Sequence, residues 1–253
     1  MRELTAKEAE ARKRVCLPLD GLATLEEVKS RLTELSPVVG LFKIGKESYT
    51  RFGPRVVELV KENGAGVFLD LKYHDIPNTV RGAADAAAEL GVYMFNVHAS
   101  GGLAMLQAAL EGARAGSARA GTPLPKVIAV TVLTSIDQTS MNGELNVMGS
   151  VEQQVLHLAK LTATANLDGV VCSAADLRAI RDHLPPRFIY VTPGIKGPAT
   201  EAGADQKRVF TPGNAVSDGS TILVIGRAIT GAATAGSRLQ AGYQVLEDMA
   251  KVL

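Results

Sequence analysis

Tryptophan is absent from this 253-residue chain, aromatic residues make up only 4 %, and cysteine occurs twice. Cys16 and Cys172 each sit in an apolar, strand-like run and share no metal-type spacing. That leaves reduced thiols, not a disulfide framework or a zinc cluster. Charge of either sign is also in short surplus: 27 Lys and Arg face 26 Asp and Glu, a net of +1. Such a balance carries neither a nucleic-acid footprint nor an acidic tail. A few placed cations can still bind small anions. No apolar run approaches the ~20 residues that span a bilayer. The N-terminal stretch MRELTAKEAEARKRV is charged throughout and lacks the apolar core of a signal peptide. The expectation is a soluble, cytoplasmic protein. No Ser-His-Asp order, P-loop or G-x-G-x-x-G after a strand is present.

What is there is a regular alternation. Short β-branched apolar runs at 14–19, 38–44, 66–72, 92–98, 126–133, 168–173, 187–193 and 221–226 read as strands. Most are nearly continuous apolar runs, the pattern of parallel strands buried on both faces. Helical periodicity fills the gaps. TLEEVKSRLTEL opens on a capping box, Thr24 with Glu27, and Ser173 stands in the same relation to Asp176 before AADLRAIRDHL. Further helices are ESYTRFGPRVVELVKEN, TVRGAADAAAEL, GGLAMLQAALEGARAG and EQQVLHLAKLTATA, with a last one from about Ala233 to Lys251. Eight strands, each followed by a helix, in about 250 residues predict a single-domain (β/α)8 barrel over 14–253, behind a charged N-terminal extension at 1–13. A doubly wound open sheet is the alternative that strand count alone leaves standing.

A barrel places its chemistry at the C-terminal ends of its strands. Read in order, those ends carry Asp20, Lys43, Asp70 with Lys72, His98, Thr134, Ser173, the turn Thr192–Gly194, and Gly226 with Arg227. The densest group lies in FLDLKYHDIPNT, residues 68–79. Strand alternation puts Asp70 and Lys72 on one face. With strands two and three as neighbours, Lys43, Asp70, Lys72 and Asp75 form an alternating row of cations and anions. A lysine flanked by carboxylates stays protonated at neutral pH and is a well-placed proton donor. An ion-pair network plugging a barrel end is the plainer alternative. Two aspartates could also hold Mg²⁺, but Lys43 and Lys72 would oppose the cation.

The end of strand eight, VIGRAIT, offers Gly226 for close backbone approach and Arg227 for a fork of donors, as in a phosphate site. The preceding loop adds Lys196, Gln206, Lys207 and Arg208. Taken singly, each of these is a solvated charge or, for Gln206, a loop-bracing amide. Thr134 is a candidate hydroxyl for a polar heterocycle or a loop-initiating residue. His74 and His98 read as structural hydrogen bonders.

DLKYHDIPNT, KIGKE, NVHASGG, VTVLTS, VTPGI, DQKRVFTP and VIGRAIT occur in this order from Asp20 to about Thr230. Together they closely resemble the orotidine 5′-phosphate decarboxylase family, in its longer-loop bacterial type. The resemblance implies a homodimeric barrel without metal or organic cofactor, converting orotidine 5′-phosphate to uridine 5′-phosphate and CO₂, the last step of de novo pyrimidine synthesis. By position, Lys72 matches the family's proton donor and Asp70 the carboxylate facing the departing CO₂. Asp75 matches a carboxylate contributed across the dimer interface. Lys43 and Asp20 match contacts to the ribose and the charged row, and Thr134 the hydroxyl beside the pyrimidine. Ile76, Pro77 and Thr79 fall in the segment lining the site, and Gln206, Gly226 and Arg227 on the phosphate side. The loop from Ile195 to Gln206 is the implied lid. Lys196 stands where this family usually has arginine, keeping the charge but losing the bidentate fork. Pro18, in LPLD, replaces a smaller apolar residue. Related metal-dependent sugar-phosphate decarboxylases and aldolases also carry D-x-K-x-x-D, and Lys43 argues against that reading. A non-catalytic nucleotide-sensing barrel is opposed by the intact Asp70–Lys72–Asp75 row.

Overall fold

A computed structural model describes residues 2–197, 210–232 and 234–253. The chain begins with α1 (Ala6–Arg14), β1 (Val15–Pro18), α2 (Leu25–Leu35) and β2 (Leu41–Gly45). Next come α3 (Lys46–Phe52), α4 (Arg55–Glu62), β3 (Gly66–Tyr73), α5 (Pro77–Glu89) and β4 (Met94–His98). The middle holds α6 (Gly102–Ala120), β5 (Lys126–Val130), α7 (Gln138–Gly143), α8 (Val151–Thr164) and β6 (Gly169–Val171). Then follow α9 (Leu177–Ile180), β7 (Ile189–Thr192), α10 (Pro212–Ser217), β8 (Ile222–Val224), α11 (Arg227–Thr230) and α12 (Ala235–Ala250). The strands are hydrogen-bonded in sequence order into a closed barrel, the (β/α)8 architecture expected from the alternation. The fold divides into two compact units, one of residues 1–70 with 192–253 and one of 71–191.

In the first unit β1 runs parallel to β2, with Cys16 opposite Leu41, and to β8, with Cys16 opposite Val224. All five residues of β2 are buried, as a strand covered on both faces requires. α2 shows why its sequence is helical: the Thr24 hydroxyl accepts from the Glu27 N–H at 3.2 Å. Val28, Leu32 and Leu35 then recur on one buried stripe. Each is worth roughly 1.5–3 kcal/mol relative to exposure. The continuous helix expected over 47–63 is instead two, because Gly53 turns the backbone to φ +59° and Pro54 cannot continue α3.

The charged N-terminal segment folds as α1, started by a reciprocal Thr5–Glu8 capping box and packed on α12. Arg2 lies 4.6 Å from the centroid of the Tyr243 ring and bridges Glu8 at 2.6 Å and Glu247 at 2.9 Å. The Thr5 backbone N–H bonded to Glu8 holds its carboxyl below the usual value, assisted by Arg2 and opposed by burial.

In the second unit β4 pairs with β5, Asn96 opposite Ile128, and β5 and β7 flank β6. Its core includes Val155, Val170, Cys172, Leu177, Phe188 and Tyr190. Two expectations change here. The helix expected after Ser173 is the single α-turn α9 continued by a 3-10 turn at Arg181–His183, with the Asp176 carboxylate accepting from the Ser173 hydroxyl (2.7 Å) and N–H (3.0 Å). Strand five stops at Val130, with the Thr131 hydroxyl turned to the Val171 carbonyl at 3.0 Å, so three residues separate it from Thr134. α7 and α10, in stretches where the sequence suggested no helix, begin on side-chain caps from Asp137 and Thr211.

Candidate active site

The first unit assembles three charged residues from three consecutive strands. Parallel register sets Pro18 beside Lys43 and Gly45 beside Asp70. The Lys43 ammonium lies 3.1 Å from Asp20 Oδ2 and 3.2 Å from Asp70 Oδ2. The Lys43 and Asp70 side chains are each 10 % exposed, whereas Asp20 is 46 % exposed. Burial alone pulls the Lys43 ammonium downward, yet Asp70 and Asp20 together hold it above its ordinary value. The lysine is therefore a fixed cation. Gly45 makes room for it: a Cβ there would lie 2.8 Å from Asp20 Oδ1 and 2.9 Å from Lys43 Nζ. Ser48 donates to the Leu19 carbonyl at 2.6 Å and steadies the turn that carries Asp20.

Beside this row lies a cavity of about 770 Å³. Asp20 and Lys43 border it together with Pro18, Lys196, Gly226 and Arg227. Lys196, Gly226 and Arg227, expected on an anion-binding side, thus share a cavity with the Asp20–Lys43 pair. Gly226 caps α11, whose first residue is the exposed Arg227. The Lys196 N–H bonds the Phe210 carbonyl at 3.2 Å. Gln206, Lys207, Arg208 and most of the expected lid lie outside the described residues.

Lys72 and Asp75 belong to the second unit. Lys72 lies within β3, and its backbone is left-handed at φ +52°. Its N–H donates to Asn96 Oδ1 at 2.8 Å. Asp75 is exposed, and its Oδ1 accepts from the Ile76 N–H at 2.6 Å. Ile76 is 66 % exposed, and Pro77 and Thr79, in the first turn of α5, are exposed as well. Proline suits that position, where its missing N–H costs no helical bond.

His74 and His98 place their ring centroids 5.3 Å apart. Both line a smaller cavity of about 210 Å³ with otherwise mainly apolar walls. Thr134 occupies an exposed turn and is not part of that lining. Among the described residues no group of three or more His, Cys, Asp or Glu is arranged to hold a metal ion. No helix among them is long and apolar enough to cross a membrane.

Sequence reasoning missed Asn96, Gly45 and Ser48. Asn96 had a readable signal, a lone amide inside the apolar run VYMFNVH, whereas the other two act through space that only register defines.

Comparison with known proteins identifies the family. A family model described as "Orotidine 5′-phosphate decarboxylase / HUMPS family" matches residues 13–241. The orotidine 5′-phosphate decarboxylase of Moorella thermoacetica is 47 % identical over 232 residues, 92 % of this chain and 90 % of that protein. The Dichelobacter nodosus enzyme of the same name is 51 % identical over 208 residues, 82 % and 88 % of the two chains. The crystal structure of orotidine 5′-phosphate decarboxylase from Lactobacillus acidophilus superposes with a TM-score of 0.81 at 36 % identity, covering 93 % of this chain and 98 % of that one. With the model spanning nearly all of its length, this chain belongs to the orotidine 5′-phosphate decarboxylase / HUMPS family.

Proposed function

We propose that this chain decarboxylates orotidine 5′-phosphate to uridine 5′-phosphate and CO₂, closing de novo pyrimidine synthesis in the cytoplasm as a homodimer without metal or organic cofactor. The observation that carries the reading is the Asp20–Lys43–Asp70 row beside a cavity also lined by Lys196, Gly226 and Arg227. A charged row for the reacting end and cations for a phosphate are what this substrate demands.

Loss of CO₂ breaks the C6–carboxylate bond and leaves its electron pair in an sp² orbital outside the pyrimidine π-system. The protein must therefore stabilise charge that appears only as the bond breaks, which fixed charges do well because they need no reorganisation. In this reading the Lys72 ammonium faces the developing carbanion and passes its proton to C6, leaving a neutral amine that water reprotonates. Asp70 faces the departing carboxylate; any ground-state strain it adds is secondary. Lys43 and Asp20 hold the ribose, and Thr134 addresses the pyrimidine. Arg227, Lys196, Gln206 and Gly226 take the phosphate, whose binding energy serves the chemical step at a distance.

Asp75 serves the neighbouring subunit, and Ile76, Pro77 and Thr79 belong to the segment lining the site. The exposure of this segment, including a large apolar side chain at Ile76, supports its meeting a second copy. Residues 14–253 form the catalytic domain, and the 1–13 segment is an added clasp on α12. The deciding experiment follows the loss of orotidine absorbance with purified protein in EDTA. Turnover supports the reading. Inactivity, or activity only with added divalent metal, overturns it in favour of a metal-dependent sugar-phosphate enzyme.

A further inference from the structure

Lys72 has a backbone conformation that its residue type disfavours. Among the described residues only three non-glycine residues have positive φ, and the other two, Asn146 and Asn166, are of a type that tolerates it. Lysine has no short polar side chain to bond its own backbone, so the left-handed state must be imposed from outside. The structure supplies a candidate at that atom: Asn96 Oδ1 accepts from the Lys72 N–H at 2.8 Å.

Asn96 is itself unusual. It is 1 % exposed, sits in β4 between the fully buried Phe95 and Val97, and is of a type depleted from strands. A buried amide is tolerated where its hydrogen bonds are made. One of those bonds fixes the backbone from which the Lys72 side chain departs, and a change of φ there re-aims the whole side chain.

We propose that Asn96 is a positioning residue for Lys72, holding its left-handed backbone so that the ammonium is delivered to the reacting carbon. This rests on the reading of Lys72 as the proton donor. Asn96 makes no contact with substrate in this scheme, so its loss lowers kcat and leaves KM nearly unchanged. A misplacement of about 1 Å in a reacting group costs on the order of a hundredfold in rate.

The test compares Asn96→Leu, which removes the acceptor, Asn96→Ser, whose hydroxyl is too short to reach, and Asn96→Asp, which keeps an oxygen at the same place. Lys72→Ala is assayed alongside. The expected result is a kcat lowered about tenfold to a hundredfold in the Leu and Ser variants, with KM within about threefold and substantial recovery in the Asp variant. Parental kcat in folded Asn96→Leu overturns the proposal, as does a loss that Asn96→Asp does not relieve. Failure of both the Leu and Ser variants to fold assigns Asn96 to the barrel and overturns it too. Turnover surviving in Lys72→Ala instead removes the proton-donor reading on which the proposal stands.

Discussion

Replacing Lys43 by methionine keeps the stem of the side chain and deletes the charge at the centre of the row. The Asp70 carboxylate, 10 % exposed, then stays buried without the ammonium that now lies 3.2 Å away. Breaking a buried pair by removing one partner costs about 3–5 kcal/mol, because the remaining charge is left in a poor solvent. The Asp20 half of the row is 46 % exposed and adds at most about 1 kcal/mol after screening. For a chain of this size the total, about 3–6 kcal/mol, corresponds to a Tm lowered by about 6–24 °C. Differential scanning calorimetry at neutral pH reads it directly. Adding Asp70→Asn to Lys43→Met removes the buried carboxylate that has lost this partner, so the double variant should melt above the single one. A single variant within about 2 °C of the parent, or a double variant that loses more than the single, refutes the reasoning. The sign with pH follows from the raised Lys43 value: the contribution is complete below the lysine's ordinary 10.5 and is lost as pH climbs through the higher folded-state value.

Arg227→Ala should raise KM for orotidine 5′-phosphate by about tenfold or more while barely changing the reaction of the nucleoside without phosphate; equal losses on both would remove Arg227 from the phosphate site. If Asp75 serves the neighbouring subunit, mixing inactive Lys72→Ala and Asp75→Asn chains should regenerate one working site per heterodimer, and no recovery on mixing counts against the shared site. The lowered Glu8 carboxyl contributes stability that is present above its ordinary 4.5 and lost as pH falls through the folded-state value. Hydrogen exchange of the α1 amides should therefore accelerate below about pH 4.5 relative to α12, and Glu8→Gln should abolish that acid step.

Much of the fold was legible because parallel strands buried on both faces announce themselves as apolar runs, and all eight runs became strands. Capping chemistry was equally readable at Thr24, where side chain and backbone satisfy each other locally. At Ser173 the same spacing does bring Asp176 back to accept from the serine, but it opens only the short α9 and the 3-10 turn Arg181–His183 that continues it. The site divided in the same way. Asp20, Lys43 and Asp70 were found from strand ends, since register converts position along a strand into proximity. Lys72 was found as a residue but not as a conformation. Its left-handed backbone, bonded to a side chain from the next strand, leaves no motif.

The central claim is that one lysine supplies the proton in a cofactor-free decarboxylation. Measuring turnover of orotidine 5′-phosphate by the parent and by Lys72→Ala, in EDTA and with both confirmed folded by circular dichroism, tests it most directly. The account predicts rapid loss of substrate absorbance with the parent and none above background with the variant; substantial residual decarboxylation by Lys72→Ala would contradict it.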